Sequence, residues 1–269
     1  MPELPEMETY RNLLTELVAG RRITDARVNR PKSINIPPDP FRKELVGRTV
    51  TEVHRRAKYL IFRLDSGYNL LLHLMLGGWM HFGSEEDKPD RNTQVEIDFG
   101  PKTLYFIGLR LGFLHLLSDE ALAEELRELG PEPLDVRYTE QEFRERLAGK
   151  KGALKPLLTD QHWVAGIGNC YSDEICFDAG LLPTRKCGEL EANAARALYR
   201  SIANVLQRAI LKGGYMENPL YNGDRLTGGY NDACLVYDRG GEACFRCGHP
   251  IVFERIWSRK VFYCSHCQR

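Results

Sequence analysis

The chain has 269 residues, long enough for two domains, and 43% of them are hydrophobic. Its longest apolar runs, such as LIF at 60–62 and YNLLLHLML at 68–76, fall well short of the roughly 18–20 residues that cross a bilayer. With 37 basic and 37 acidic residues the formal charge is zero, which excludes polyanion binding through bulk charge and leaves only a local basic face for phosphates.

The first element is announced by MPELPEMETYRNLL, with two prolines and two glutamates packed into five residues before a helical pattern over 5–18. Prolines and acids suit the start of a helix, where the missing N–H costs nothing and negative charge meets the positive end. Pro2 offers a second possibility. If Met1 is removed, Pro2 carries a free secondary amine, a nucleophile once deprotonated near pH 8, with Glu3 and Glu6 nearby as acid or base. No basic region followed by an apolar stretch precedes the helix, so no secretory signal is expected and the location is expected to be cytoplasmic, associated with the nucleoid.

From residue 23 to 118 the period changes to that of strands. ITDARVNR, RTVTEVHRRAKYLIFRLDSG, YNLLLHLMLGGWMHFG, TQVEIDFGPKTLYFIG and GFLHLLS alternate or run apolar between Gly, Asp and Asn breaks, with hairpin turns at DSGYN and DFGPKT. One helix and many antiparallel strands predict a β-sandwich or flattened barrel. Lys58 falls at a hairpin tip in RRAKYLIF, where most lysines are solvated surface charges.

DEALAEELRE predicts a short acidic helix at 119–128, and LGPEPLD a hinge. Helices follow in TEQEFRERLAG, ALKPLLTD, CYSDEICFDAG and ELEANAARALYRSIANVLQRAILKGG, the last stopped by two glycines. In HWVAGIGNCYSDEI a Gly-rich turn precedes a helix starting near Asn169, an arrangement that presents free backbone amides to an anion. The segment 215–232, YMENPLYNGDRLTGGYND, has no period and is a long loop of the kind that is usually functional or mobile.

The chain closes on CFRCGHPIVFERIWSRKVFYCSHC. Two Cys-x-x-Cys knuckles, Cys244 and Cys247 with Cys264 and Cys267, flank a segment that predicts a β-hairpin, the pattern of a zinc ribbon. Four thiolates leave no open coordination position, so this zinc would be structural. Residues 244–269 hold Arg246, Arg255, Arg259, Lys260 and Arg269 against Glu254 alone, a local basic face. Cys170, Cys176, Cys187 and Cys234 are scattered and read as small core or loop residues.

PELPEME, RRAKYLIF, LLTDQHWVAGIGNCYSDEI and the ribbon, in this order and at these separations, make the whole chain resemble the bacterial formamidopyrimidine-DNA glycosylase family, which also contains endonuclease VIII. The resemblance implies an α+β fold: a catalytic N-terminal β-sandwich with one N-terminal helix (1–130), a helix-two-turn-helix domain carrying the lesion loop (131–232), and a four-cysteine zinc ribbon (233–269), with DNA bound in the cleft between the domains. It also explains why PELPE is rigid, since the N-terminal proline is this family's nucleophile.

Carried over, Pro2 attacks C1′ of the damaged nucleotide and forms a Schiff base, with Glu3 as general acid/base and Glu6 assisting proton transfer. Lys58 contacts the phosphate beside the lesion, and Asn169 and Arg259 grip the phosphates flanking the flipped nucleotide. β- and then δ-elimination cut the strand. The implied protein is a monomeric bifunctional DNA glycosylase/AP lyase of base excision repair, acting on double-stranded DNA with a damaged base or abasic site, with one zinc and no membrane partner. The alternative is a damaged-DNA-binding protein that has lost turnover.

Two motifs depart from the family's pattern. HLMLGG places Leu76 at the usual wedge-methionine position with Met75 before it, and IGLRLG places Leu109 and Leu111 at the usual Arg and Phe positions with Arg110 between them. An apolar wedge props a duplex open but cannot read a base by hydrogen bonds. Weak discrimination of the opposite base is therefore expected, unless Arg110 takes over through a one-residue shift of the loop. The start favours the formamidopyrimidine branch, whereas the leucine wedge and the 215–232 loop are slightly closer to endonuclease VIII, so oxidised pyrimidines and ring-opened purines are both open as substrates.

Overall fold

A computed structural model describes residues 1–269 and divides into two compact units, Met1–Arg127 with Lys212–Gly229, and Glu128–Leu211 with Tyr230–Arg269. The first unit opens with helix α1 (Leu4–Val18). Glu3 is its N-cap and shares a capping box with Glu6, while Pro5 in the first turn costs no hydrogen bond. Leu4, Met7, Tyr10, Leu14 and Val18 recur at helical spacing and are buried.

Two four-stranded antiparallel sheets follow. One has β2 (Val50–Arg56), β3 (Tyr59–Leu64), β4 (Asn69–His73) and β8 (Phe113–Leu117) in that order. The other runs β1 (Asp25–Val28), β6 (Thr93–Asp98), β7 (Thr103–Ile107) and β5 (Trp79–Gly83). Leu60, Phe62 and Leu72 of the first sheet share a core with Phe82, Ile97 and Phe106 of the second, so the alternation in the sequence is the inner face of a sandwich. β4 is buried throughout because its outer face is covered as well: Leu71 packs with Ile61 and with Leu122 of helix α3 (Asp119–Leu126). That double cover accounts for the unbroken apolar run YNLLLHL.

The structure adds helix α2 (Pro38–Leu45), where one N-terminal helix was expected. Its Pro-Asp-Pro start looks like a turn, but prolines are tolerated in a first turn, and Phe41 and Leu45 are buried. The lesion-loop segment also differs from expectation, since Lys212–Gly229 belongs to the first unit rather than to the helical one. Leu220 lies in the sandwich core and its carbonyl accepts from Phe82 N–H at 2.6 Å. The Asp224 carboxylate accepts from the N–H groups of Leu220, Leu226 and Thr227 and from the Thr227 hydroxyl, replacing the backbone ladder that the segment lacks.

The second unit holds α4 (Glu140–Leu147), α5 (Leu154–Leu158), α6 (Asn169–Asp178) and α7 (Ala192–Leu211), followed by the hairpin of β9 (Val252–Ile256) and β10 (Arg259–Tyr263). The ribbon packs within this unit rather than standing as a third one: Phe177 of α6 shares a cluster with Val236, Ile251 and Phe262. Glu174, buried in α6, accepts from the backbone N–H groups of Leu235, Val236 and Tyr237 and from the Tyr230 hydroxyl, fixing the segment that leads into the ribbon. No helix is long and apolar enough to cross a membrane.

Candidate active site

The first unit gathers Pro2, Glu3 and Glu6 at the start of α1. Glu3 and Glu6 are only 1% and 2% exposed, unusual for carboxylates. Glu6 is fully engaged by backbone: Oε2 accepts from Glu3 N–H at 2.7 Å and Oε1 from Tyr215 N–H at 3.0 Å. The sequence suggested proton transfer for Glu6, whereas its geometry is that of a brace between the helix start and the 212–229 segment. Gly214, at φ +69°, makes the brace possible, because a Cβ there would stand 2.3 Å from Glu6 Oε1. The Tyr215 hydroxyl donates to the Met1 carbonyl oxygen at 2.9 Å.

Lys58 sits at the tip of the β2–β3 hairpin, beside Ala57 at φ +52°, and is only 5% exposed rather than solvated. The tip is tied to α1 through Arg55, whose Nε donates to Glu8 Oε2 at 2.6 Å and whose Nη1 donates to the Ala57 carbonyl at 3.1 Å. Burial pushes the Glu8 carboxyl up, but Arg11 and Arg55 together hold it below its usual range. His73, at the end of β4, was not anticipated. It is buried, its Nδ1 has no partner within the protein, and burial together with the Lys58 charge lowers it to about 4. The only sequence signal was a histidine interrupting an apolar strand.

The two expected wedge loops lie in backbone contact, Gly108 so close to Gly77 that a Cβ would fall 2.1 Å from the Gly77 carbonyl oxygen. Leu76 and Leu111 project outward, 61% and 62% exposed, Arg110 is exposed between them in sequence, and Met75 is half-buried at φ +51°. Leu109 departs from the expectation: it is fully buried in the sandwich core rather than displayed with its neighbours. Its N–H donates to Gln94 Oε1, and its carbonyl accepts from Arg30 and Ser33, so it anchors the loop that displays its neighbours.

In the second unit Asn169 begins α6, with no acid in the first turn and with its buried Oδ1 unpartnered within the protein. Arg259 begins β10 and donates to the Thr159 hydroxyl at the end of α5. Lys155, fully buried, joins these elements: its Nζ donates to Asp173 Oδ2 at 2.6 Å, to the Lys260 carbonyl at 2.7 Å and to the Asn169 carbonyl at 3.3 Å. Phe262 N–H donates to the same Asp173 oxygen at 3.0 Å.

The sulfurs of Cys244, Cys247, Cys264 and Cys267 all lie within 4.8 Å of one another, with 3.9 Å between Cys244 and Cys267 and 3.5 Å between Cys247 and Cys264. Tetrahedral zinc with bonds of about 2.3 Å places its sulfurs about 3.8 Å apart, so the set fits that ion. His249 and His266 stack on each other outside this set.

Two family models match the chain. Residues 1–113 match the formamidopyrimidine-DNA glycosylase N-terminal domain and residues 129–218 the formamidopyrimidine-DNA glycosylase H2TH domain. A formamidopyrimidine-DNA glycosylase of Pelotomaculum thermopropionicum is 34% identical over 100% of this chain and 99% of its own length. The chain belongs to the formamidopyrimidine-DNA glycosylase family. A second member, from Geobacillus kaustophilus, is 36% identical with both chains fully covered. Among solved structures of the family, a Lactococcus lactis FPG mutant in complex with Fapy-dG-containing DNA superposes with a TM-score of 0.92 at 30% identity, covering 100% of each chain. The Lactococcus lactis Fpg complex with abasic-site DNA gives 0.92 at 30% identity over 99% of each.

Proposed function

We propose that this protein is a DNA glycosylase of base excision repair that also cleaves the strand, using the Pro2 amine, freed by loss of Met1, as nucleophile. The observation that carries the proposal is the start of α1, where a proline that can become N-terminal is held beside two buried carboxylates. Glu6 accepts from Glu3 N–H and Tyr215 N–H, one with each oxygen, so it ties the helix start to the 212–229 segment. Glu3, directly beside Pro2, is assigned the acid/base role and Glu6 the positioning of Glu3 and Tyr215.

In the reaction Pro2 nitrogen bonds to C1′ as the C1′–base bond breaks, which requires the nucleotide to leave the stack. Opening of the sugar gives an iminium that acidifies the C2′ protons, and loss of the 3′ and then the 5′ phosphate follows with proton transfer through Glu3. Lys58 and His73 supply donors for a phosphate in the first unit, His73 as a neutral imidazole. In the second unit Asn169, at the positive end of α6, and Arg259 form a phosphate clamp of their own. The four cysteines would hold a structural zinc that keeps the β9–β10 hairpin, and Arg259 with it, in place.

The partner is duplex DNA bearing a damaged base or abasic site. Leu76 and Leu111 would fill the vacated stack, and the exposed Arg110 supplies a guanidinium for the orphaned base. The burial of Leu109 thus favours the one-residue shift over a purely apolar wedge. Pro2→Gly tests the proposal: strand scission is expected to fall severely while binding to an uncleavable abasic analogue persists, and scission at the parent rate would contradict it.

A further inference from the structure

Tyr215 carries an unassigned role that the Met1 peptide makes visible. The Met1 carbonyl carbon is bonded to Pro2 nitrogen, to one oxygen and to one carbon. An adduct between a free Pro2 amine and sugar C1′ has the same neighbours: the Pro2 nitrogen, an oxygen, and C2′. The Met1 acyl group therefore marks the volume that the adduct occupies once Met1 is gone, and its oxygen marks the place of the oxygen on C1′. That oxygen is the atom to which the Tyr215 hydroxyl donates, at 2.9 Å.

The backbone that carries the phenol is fixed beside the same site. Tyr215 N–H is fixed by Glu6 Oε1, while Oε2 of the same carboxylate holds Glu3 N–H, one residue from Pro2. Gly214 lets the backbone approach that carboxylate more closely than any Cβ would permit. Tyr215 is thus registered to the nucleophile through a single side chain.

Resting on the Pro2 assignment above, we infer that Tyr215 is a further catalytic residue, whose phenol donates a hydrogen bond to the oxygen that must leave C1′. On an abasic aldehyde, the Pro2 lone pair forms the N–C1′ bond and the C=O π pair moves to oxygen, which takes the proton released by nitrogen. The carbinolamine C–O bond then breaks as the nitrogen lone pair forms the iminium, and the hydroxyl departs as water with a proton from the Glu3 carboxylic acid. Tyr215 neither gains nor loses a proton; its hydrogen bond stabilises charge on the oxygen in both steps. After base release the corresponding oxygen is O4′, which leaves C1′ as the ring opens.

The test compares the parent with Tyr215→Phe, both confirmed by intact mass to begin at Pro2. Borohydride trapping on an abasic-site duplex is timed under single turnover, alongside binding to a tetrahydrofuran-site duplex, which lacks the C1′ hydroxyl. The trapping rate is expected to drop roughly 100-fold, with unchanged affinity for the tetrahydrofuran duplex. Trapping at the parent rate would overturn the assignment of Tyr215 while leaving Pro2 intact, and a rate loss matched by the same loss of affinity would overturn it in favour of a binding role. A parent that forms no adduct would overturn the Pro2 assignment and this one together.

Discussion

Glu3 and Glu6 are neighbours in sequence and alike in burial, yet their surroundings separate them. Glu6 braces the N–H groups of Glu3 and Tyr215, whereas Glu3 adjoins Pro2, so Glu3→Gln is expected to lower base release by roughly 10²- to 10⁴-fold. His73 makes a separate prediction about pH. Burial first, then Lys58, lowers it to about 4, below the 6.5 of an exposed imidazole, so the unfolded chain binds this proton more readily than the folded one. Its contribution is fully present above about 6.5 and is lost as pH falls toward 4, on the order of 3 kcal/mol across that window. Denaturant titrations from pH 7 to 4 should show this slope in the parent and a flatter one in His73→Gln. Leu109 and Leu111, two residues apart, should part in the same way. Leu109→Ala is expected to cost about 2–5 kcal/mol of stability. Leu111→Ala should leave Tm nearly unchanged and weaken binding to abasic-site DNA, a contrast that thermal melts and binding titrations resolve.

The strands and hairpins were legible because alternation records which face is inside, and Asp-Ser-Gly and Asp-Phe-Gly mark their turns. The burial of Leu109 was not, because motif spacing carries a residue onto a position without saying how the loop turns at Gly108. Nor could the double glycine at 213–214, which reads as a helix stop, reveal that Gly214 passes against Glu6, a contact across more than two hundred residues of sequence. Gly214→Ala would add a Cβ in contact with that carboxylate at a positive φ, a strain of about 1–2 kcal/mol from the backbone alone. It should slow scission by displacing Tyr215. The joint of α5, α6 and β10 is a similar case. Lys155 and Asp173 are fully buried, so Lys155→Met should destabilise by about 3–5 kcal/mol, and the double change Lys155→Met with Asp173→Leu by clearly less, measured by denaturant unfolding.

At the scale of the whole chain, each unit contributes its own part of the proposed chemistry: nucleophile, acid/base and wedge in the first, helix-terminal amides, Arg259 and the cysteine set in the second. The order of these motifs along the chain points to the family, because no single one of them is specific and their combination is. What the order could not convey is that Lys212–Gly229, reached only after the helical segment, returns to the sandwich and brings Tyr215 to the chain's first residues. Locating the covalent bond decides the identity of the nucleophile. Borohydride reduction on abasic-site DNA, followed by peptide mapping, should place the sugar remnant on the N-terminal peptide beginning at Pro2; a remnant on Lys58 or any other lysine, or no adduct from a chain confirmed to begin at Pro2, would contradict it.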